Sequence, residues 1–191
     1  MKLYIFRHGE SENNRKGLWT GWMDVALTET GVQQATRLRP YFEGLKPDKF
    51  YSSDLQRALK TGQAVFPNAT FETLPILREV NVGSLQGTDF VINDAETSKK
   101  IFESGYTAWG GESIEDFTLR AKRFLGDLET LDAQTVVAFS HGGFLRKLLD
   151  ITMGQKHPRQ AVLCKNCALG VFEYQNGAWK LHSWVNFDDE A

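Results

Sequence analysis

Two short apolar segments, far apart in the chain, each end in a histidine followed by glycine. Residues 3–6 lead into Arg7-His8-Gly9, and residues 136–139 lead into Ser140-His141-Gly142-Gly143. Short apolar runs that stop at a glycine are typical of buried strands. Neighbouring parallel strands end at the same edge of a sheet, where α/β proteins place their ligands, so both imidazoles are expected at one site.

Helical patterns alternate with these and other short strands, which predicts an α/β protein. The expected fold is a three-layer α/β/α sandwich with a mostly parallel central sheet. An antiparallel hairpin around Asn176-Gly177 closes it at the C-terminal end, because Asn-Gly between alternating segments is a strong hairpin signal. Residues 1–191 are predicted to form one domain, in which the irregular, glycine-rich segment 79–111 is a lid-like insertion.

Three local features are predicted as well. Residues 12–27 are expected to form a loop. Ser53 or Asp54 is expected to cap the helix that carries Arg57. A helix is expected to begin near Thr28, to carry an apolar stripe at helical spacing, and to be kinked at Pro40 or to have its last turn there. The stripe consists of Val32, Ala35, Leu38, Phe42 and Leu45.

Composition limits the partners that the chain can have. Its 191 residues carry a net charge of −2 at pH 7, which gives no general attraction to nucleic acid or to an anionic membrane. The sequence has neither an apolar run of membrane-spanning length nor a secretory leader at Met1, so a cytoplasmic protein is expected. The two cysteines do not form a disulfide framework.

The residues around the two histidines indicate an anion site. Arg7 precedes His8, and Arg57 falls in the first turn of a helix predicted at the same sheet edge, where guanidinium groups suit phosphate oxygens. The glycine after each histidine is expected to leave backbone N–H groups free to donate. Zinc bound by His8, His141 and Glu79 is the rival interpretation, and two neighbouring arginines disfavour it.

The chain resembles the histidine phosphatase superfamily, also called phosphoglycerate mutase-like proteins. The resemblance covers nearly the whole chain and depends on several blocks in a fixed order. They are Arg7-His8-Gly9-Glu10-Ser11 with Asn14, Gly21-Trp22-Met23-Asp24 with Leu27-Thr28, Ser52-Ser53-Asp54-Leu55-Gln56-Arg57-Ala58, Leu77-Arg78-Glu79 with Gly83 and Gly87, Gly111-Glu112-Ser113, and Ser140-His141-Gly142-Gly143.

The resemblance implies catalysis through a phosphohistidine, without metal or another cofactor. His8 would be the nucleophile, and Glu79 would be the general acid and then the general base. Arg7, Arg57 and His141 would hold the phosphoryl oxygens as the other catalytic residues. Substrate-binding positions would be Asn14, Thr20, Gly21 and Gly142.

The same family contains phosphatases and mutases, and departures from the mutase pattern favour a phosphatase. Val82 and Phe90 stand where mutases have tyrosine and lysine, and Gly143 stands where they have asparagine. The paired arginines that hold the substrate carboxylate in mutases have no counterpart between Gly87 and Gly110. The expected activity is therefore hydrolysis of a small phosphorylated metabolite by a monomer or homodimer. A cofactor-dependent phosphoglycerate mutase is the alternative, ahead of a non-catalytic phospholigand-binding module.

Several residues keep two interpretations. Glu10 and Glu112 could tune His141 at the pocket mouth or cap loops. Cys164 and Cys167 are expected to be structural thiols rather than a redox or zinc pair. Aromatic residues of the 79–111 segment could contact an apolar substrate, but core packing is the simpler interpretation; they are Phe90, Phe102, Tyr106 and Trp109. His157 and His182 are expected to be structural or surface residues.

Overall fold

The computed structural model describes residues 1–90, 95–157 and 161–187. Its strands are β1 (Lys2–Arg7), β2 (Lys49–Ser52), β3 (Glu72–Thr73), β4 (Thr135–Ser140), β5 (Leu169–Gln175) and β6 (Ala178–Val185). Its α-helices are α1 (Glu12–Lys16), α2 (Glu29–Thr36), α3 (Gln56–Val65), α4 (Ala95–Ser104), α5 (Ile114–Glu129) and α6 (Gly142–Met153).

The strands form one sheet in the order β3-β2-β4-β1-β5-β6. The pairs β2–β3, β2–β4 and β1–β4 are parallel, whereas β5 runs antiparallel to β1 and to β6. In the register of β1 with β4, Arg7 lies opposite Ser140, so that His8 and His141 follow at the same edge. The mostly parallel α/β sheet with its C-terminal hairpin is therefore confirmed.

Side chains that alternate along β1 and β4 build an apolar core on each face of the sheet. On one face, Leu3 and Ile5 pack with residues of α5 and α6. On the other face, Phe6 stacks on Phe139 with ring centroids 4.8 Å apart and packs with residues of α2 and α3. Each fully buried residue of this kind stabilises the fold by about 1.5–3 kcal/mol.

Two local predictions are wrong. The expected loop 12–27 contains the helix α1, which Ser11 caps by accepting a hydrogen bond from Asn14 N. The next helix ends at Thr36, because the chain turns into a 3₁₀ segment over Arg39–Phe42 with proline in its first turn. Val32 is 44% exposed, so it does not belong to the buried part of the apolar stripe.

The hairpin turn follows the expected chemistry. Asn176 and Gly177 both have positive φ, at 54° and 78°, as a two-residue turn of this kind requires. Within the described ranges, no helix is long and apolar enough to cross a membrane.

Candidate active site

His8 follows the last residue of β1 and is only 5% exposed. Its Nδ1 lies 2.7 Å from the carbonyl oxygen of Gly9 and donates a hydrogen bond to it, so the proton of the neutral ring is on Nδ1. Its Nε2 then carries the lone pair and accepts a hydrogen bond from Arg57 Nε at 3.3 Å. Burial, followed by the charges of Arg57 and Arg7, holds the pKa of His8 well below its usual value. The ring is therefore neutral, with its lone pair on Nε2.

Arg57 lies in the first turn of α3 and is 1% exposed. Its two terminal nitrogens donate to the carbonyl oxygens of Gly21 and Met23, each at 2.8 Å. Burial lowers the pKa of Arg57 to about 10, while Glu79 and Asp24 oppose that shift. The guanidinium is thus a fixed positive charge, held by backbone carbonyls beside the His8 ring.

His141 follows β4 at the start of α6 and is fully buried. Its Nε2 lies 2.9 Å from Ser53 Oγ. Because that oxygen also accepts from Leu55 N, its own proton can go to Nε2, which leaves the ring proton on Nδ1. Nδ1 has no hydrogen-bond partner among the described residues, and the ring centroid is 5.2 Å from that of His8. His141 therefore offers an unused donor beside the His8 ring.

The pKa of His141 is also held well below its ordinary value. Burial is the main cause, and the charge of Arg57 is the next. The arginine charges that disfavour a proton on this ring create a positive potential, and a positive potential favours a bound anion. The site is consequently prepared for an anion between the two rings.

Arg7, the last residue of β1, is fixed by the segment that contains both cysteines. Its Nη1 donates to the carbonyl oxygen of Cys164 at 2.6 Å. Cys167 N donates to the carbonyl oxygen of His8. The Cys164 side chain packs in the core on one face of the sheet and that of Cys167 on the other, which agrees with structural thiols.

Glu79 follows the 3₁₀ segment Pro75–Leu77, and both of its carboxylate oxygens are held. Oε1 accepts from Val80 N and Oε2 accepts from Gly143 N, each at 2.9 Å. A Cβ at position 143 would lie 2.1 Å from Glu79 Oε1. Gly143, the second glycine after His141, therefore leaves the space that the Glu79 carboxylate occupies and donates a hydrogen bond to it.

Arg120 on α5 was not singled out by the sequence, although it fixes the backbone around Glu79. It donates to the carbonyl oxygens of Ile76, Arg78 and Glu79 at 2.8–3.1 Å. Its guanidinium also pairs with both carboxylate oxygens of Glu112, at 2.9 and 2.8 Å. An arginine inside the apolar stripe of α5, between Phe117 and Phe124, was the signal that could have identified it.

The four predicted substrate-binding residues lie around the same cavity. Asn14 Oδ1 accepts from Ser11 N and Asn166 Nδ2, so its amide Nδ2 is the group that it can offer to a ligand. Gly21 has a φ of 51°, and its carbonyl holds Arg57. Thr20 lines the cavity, as does Gly142, the first residue of α6.

Two predictions about this edge of the sheet are wrong. The N–H of Gly9 is not free, because it donates to Thr61 Oγ1 at 3.0 Å. Neither Ser53 nor Asp54 caps α3 through its side chain. Asp24 does so from a distant loop, by accepting from Gln56 N at 2.8 Å.

A cavity of about 460 Å³ extends from these residues to Phe90 and Phe102. The predicted site residues that line it are Arg7, His8, Asn14, Thr20, Gly21, Arg57, Glu79 and Gly142. Phe90, Phe102 and Tyr106 also line it. Phe90 and Phe102 are 37% and 49% exposed, whereas Tyr106 is buried and packs with Trp19 and Val82, which line the cavity too. Tyr106 therefore contributes both to the cavity wall and to core packing.

The remaining polar residues have structural partners. Glu10 Oε1 accepts from Thr28 Oγ1 at 2.6 Å, so it fixes a loop rather than the pocket. His157 pairs with Asp150 at 2.9 Å, and His182 lies 3.7 Å from Glu173. Over the described ranges, no group of three or more His, Cys, Asp or Glu side chains is arranged to hold a metal ion.

The family model of the histidine phosphatase superfamily (branch 1) matches residues 3–187 of this chain. Together with the fold and the geometry of His8, this match shows that the chain belongs to the histidine phosphatase superfamily.

The relatives include mutases and phosphatases. A 2,3-bisphosphoglycerate-dependent phosphoglycerate mutase of Cytophaga hutchinsonii is 37% identical over 77% of this chain and 75% of its own length. A broad-specificity phosphatase of Saccharomyces cerevisiae is 28% identical over 91% of this chain and 80% of its own length. The crystal structure of a phosphoserine phosphatase from Entamoeba histolytica, in complex with 3-phosphoglyceric acid, superposes with a TM-score of 0.84 at 27% identity and covers 98% of both chains. Several other mutases are matched over less than half of their length.

Proposed function

We propose that this chain is a metal-independent phosphomonoester hydrolase that acts on a small phosphorylated metabolite through a phosphohistidine at His8. The observation that carries the proposal is the state of the His8 ring. Gly9 holds its Nδ1 proton, and burial together with two arginines keeps it neutral, so Nε2 is available to attack phosphorus.

In the first half-reaction, His8 Nε2 attacks the phosphorus atom opposite the leaving oxygen. The N–P bond forms as the P–O bond to the alcohol breaks, and Glu79 in its acid form donates a proton to that oxygen. Arg7, Arg57 and the unused Nδ1 donor of His141 stabilise the negative charge on the phosphoryl oxygens.

In the second half-reaction, water attacks the phosphorus atom of the phosphohistidine. Glu79, now a carboxylate, takes the proton of the water as the new O–P bond forms and the N–P bond breaks. Inorganic phosphate leaves, and both His8 and Glu79 return to their starting states.

Gly143 supports hydrolysis over mutase activity. In the mutases that this chain resembles, asparagine stands at this position. Here the Glu79 carboxylate occupies the space that a side chain at position 143 would need, since a Cβ would lie 2.1 Å from Oε1.

A mutase must also keep water away from its phosphoenzyme. The half-exposed Phe90 and Phe102 at the cavity wall provide weak exclusion of water.

Phosphate release from an aryl phosphate and from 3-phosphoglycerate, in the presence of a chelator, tests this proposal. The wild type should hydrolyse at least one of them. His8→Ala should lose roughly 10³-fold or more in kcat. His182→Ala, which changes an exposed histidine outside the cavity, is the matched control and should retain full activity.

The mutase alternative is tested in the same preparation by adding 2,3-bisphosphoglycerate and measuring the formation of 2-phosphoglycerate. Its support is the 37% identity to a mutase. Interconversion without phosphate release would establish the mutase and contradict the hydrolase. Hydrolysis that needs metal, or that survives the loss of His8, would contradict the mechanism.

A further inference from the structure

One face of α6 forms a wall of the catalytic cavity well beyond the residues assigned to the phosphate. Gly143, Lys147 and Asp150 all line the cavity, and their spacings of four and three residues place them on one side of the helix. At 1.5 Å per residue, Lys147 lies roughly 6 Å along the helix from Gly143, which contacts Glu79. The cavity therefore continues about one helical turn past the general acid.

The ammonium of Lys147 is buried without a close counter-ion. Its side chain is 11% exposed, and its ion pair with Asp150 is long, with 3.9 Å between Nζ and Oδ2. The other oxygen of Asp150 accepts two hydrogen bonds from His157, one from the backbone N and one from the ring. A buried charge with such weak compensation is costly, and an anion beside it would lower that cost.

Other positive groups lie at the same wall. Arg146 and Lys156 both line the cavity, and Lys156 places its ammonium 3.9 Å from the ring centroid of Phe102. Burial lowers the pKa of Lys147; Asp150 opposes this shift, and Lys156 adds to it. Glu112 opposes the shift less than Asp150 does, and its carboxylate is already paired with Arg120.

We propose that Lys147, with Arg146 and Lys156, binds a second anionic group of the substrate, either a carboxylate or a second phosphate. The proposal deepens the phosphatase function proposed above and rests on it. If the reacting phosphate occupies Arg7 and Arg57, a second anionic group needs other cations, and Lys147, Arg146 and Lys156 provide them. It also assigns the subsite to α6 and the turn after it. The mutase arginines that hold a carboxylate belong instead to the insertion after Gly87, where this chain has no counterpart.

The aromatic wall does not offer an equally good alternative. The Phe90 ring already packs on Trp19, with centroids 4.3 Å apart, and the Phe102 ring already receives the ammonium of Lys156. A neutral apolar substrate would leave the Lys147 charge with only its long ion pair to Asp150 and the Phe117 ring, whose centroid is 5.6 Å from Nζ. The second anion satisfies that charge.

Two matched pairs of substrates test the subsite. Glycerol 3-phosphate and 3-phosphoglycerate differ by replacement of a hydroxymethyl group with a carboxylate. 3-Hydroxypropyl phosphate and the symmetric bisphosphate of propane-1,3-diol differ by a distal phosphate. The wild type should favour the partner that has a second anionic group, in at least one pair, by tenfold or more in kcat/KM. The pair that responds identifies that group as carboxylate or phosphate.

Lys147→Met, which keeps the length of the side chain and removes the charge, should reduce that preference to below threefold. Lys147→Arg should retain most of it. Lys122→Met is the control, because Lys122 is exposed on α5 and does not line the cavity, and it should leave the preference unchanged.

A wild type that hydrolyses both members of each pair equally would overturn the subsite while the phosphatase function stands. So would a preference that survives in Lys147→Met. The comparison of paired substrates with the wild type needs no variant, so misfolding of a variant cannot obscure it. Failure to release phosphate from every substrate would contradict the hydrolase itself.

Discussion

The two ends of the catalytic cavity are built from different parts of the fold. At the phosphate end, the three residues His8, Arg57 and His141 come from strand ends and helix starts and are at most 5% exposed. His8 and Arg57 donate hydrogen bonds to backbone carbonyls, and His141 is hydrogen-bonded to the hydroxyl of Ser53. At the distal end, Phe90 and Phe102 are 37% and 49% exposed. Precise chemistry needs the rigid edge of a sheet, whereas the choice of substrate can be left to helix surfaces and loops.

The two ends of the cavity also differ in how many desolvated imidazoles and cations they hold. The phosphate end holds two neutral imidazoles and a guanidinium in a desolvated space, an arrangement that opposes folding and favours a bound anion. The distal end has one comparable residue, Lys147, among those described there. Substitutions should therefore have large effects at one end and graded effects at the other.

Arg57→Lys should give the largest effect among the arginine changes. The compact ammonium of lysine cannot reproduce the planar fork with which Arg57 holds Gly21 and Met23 while it faces the phosphate, so kcat/KM should fall by about 10²- to 10³-fold. Steady-state kinetics with an aryl phosphate measure this. Arg123→Lys, on the exposed side of α5, is the control, and a similar loss in both variants would contradict the assigned role.

Gly143→Ala should displace the Glu79 carboxylate, because the new Cβ would lie within 2.1 Å of Oε1. We expect kcat to fall by about 10- to 100-fold with alkyl phosphates, whose leaving oxygen needs a proton, and by much less with p-nitrophenyl phosphate. The comparison of the two leaving groups is the measurement.

Gly126→Ala is the matched control for that variant. An added Cβ there meets nothing within 4 Å, and alanine is the better helix former, so activity should be unchanged. Equal losses of Gly143→Ala on both leaving groups would show that the glycine does not act through the general acid.

Arg120→Met should affect the same leaving-group contrast more weakly. Its loss frees three backbone carbonyls near Glu79 and removes the ion pair of Glu112, so kcat with an alkyl phosphate should fall by about tenfold. Arg120→Lys should recover part of the activity. An unchanged contrast between alkyl and aryl substrates would assign Arg120 to stability alone.

Acid should destabilise the protein through the two buried histidines at the phosphate end. The pKa values of His8 and His141 lie below 6.5 in the fold, mainly through burial and then through Arg57, so the unfolded chain binds more protons below that pH. The free energy of unfolding should therefore fall as pH drops from 6.5 to about 5, by up to about 1.4 kcal/mol per pH unit for each histidine.

Denaturant titrations across that range measure the slope. His8→Gln should reduce it, while His182→Gln, at an exposed site, should not. Equal slopes in all three proteins would contradict the depressed pKa of His8.

Phe102→Ala at the distal end should give the smallest effect. The side chain is half exposed, so stability should change by about 0.5 kcal/mol or less, and turnover of an aryl phosphate by about twofold or less. Thermal unfolding and steady-state kinetics measure both. A loss as large as that of Arg57→Lys would erase the distinction between the two ends.

The sequence predicted the parts of the site whose residues directly follow a predicted strand. The apolar runs before His8 and His141 are local signals for strands, and the rule that parallel strands end at one edge placed them together. The fold followed from the same alternation of strands and helices, and the hairpin from Asn176-Gly177.

The sequence could not show the contacts between distant segments. Asp24 caps α3 because the loop before α2 folds across its N-terminus, while Ser53, the expected cap, faces His141. Thr61 takes the Gly9 N–H for a similar reason. The link between Gly143 and Glu79 joins residues 64 positions apart, so no local pattern contains it.

Trapping the phosphoenzyme tests the central claim most directly. The wild type, mixed with substrate and quenched within its first turnovers, should gain the mass of one phosphoryl group, and peptide mapping should place an acid-labile phosphate on His8. The same experiment with His8→Ala should show none. A phosphoryl group on another residue, or turnover of the wild type without any phosphoenzyme under conditions that slow the second half-reaction, would contradict the account.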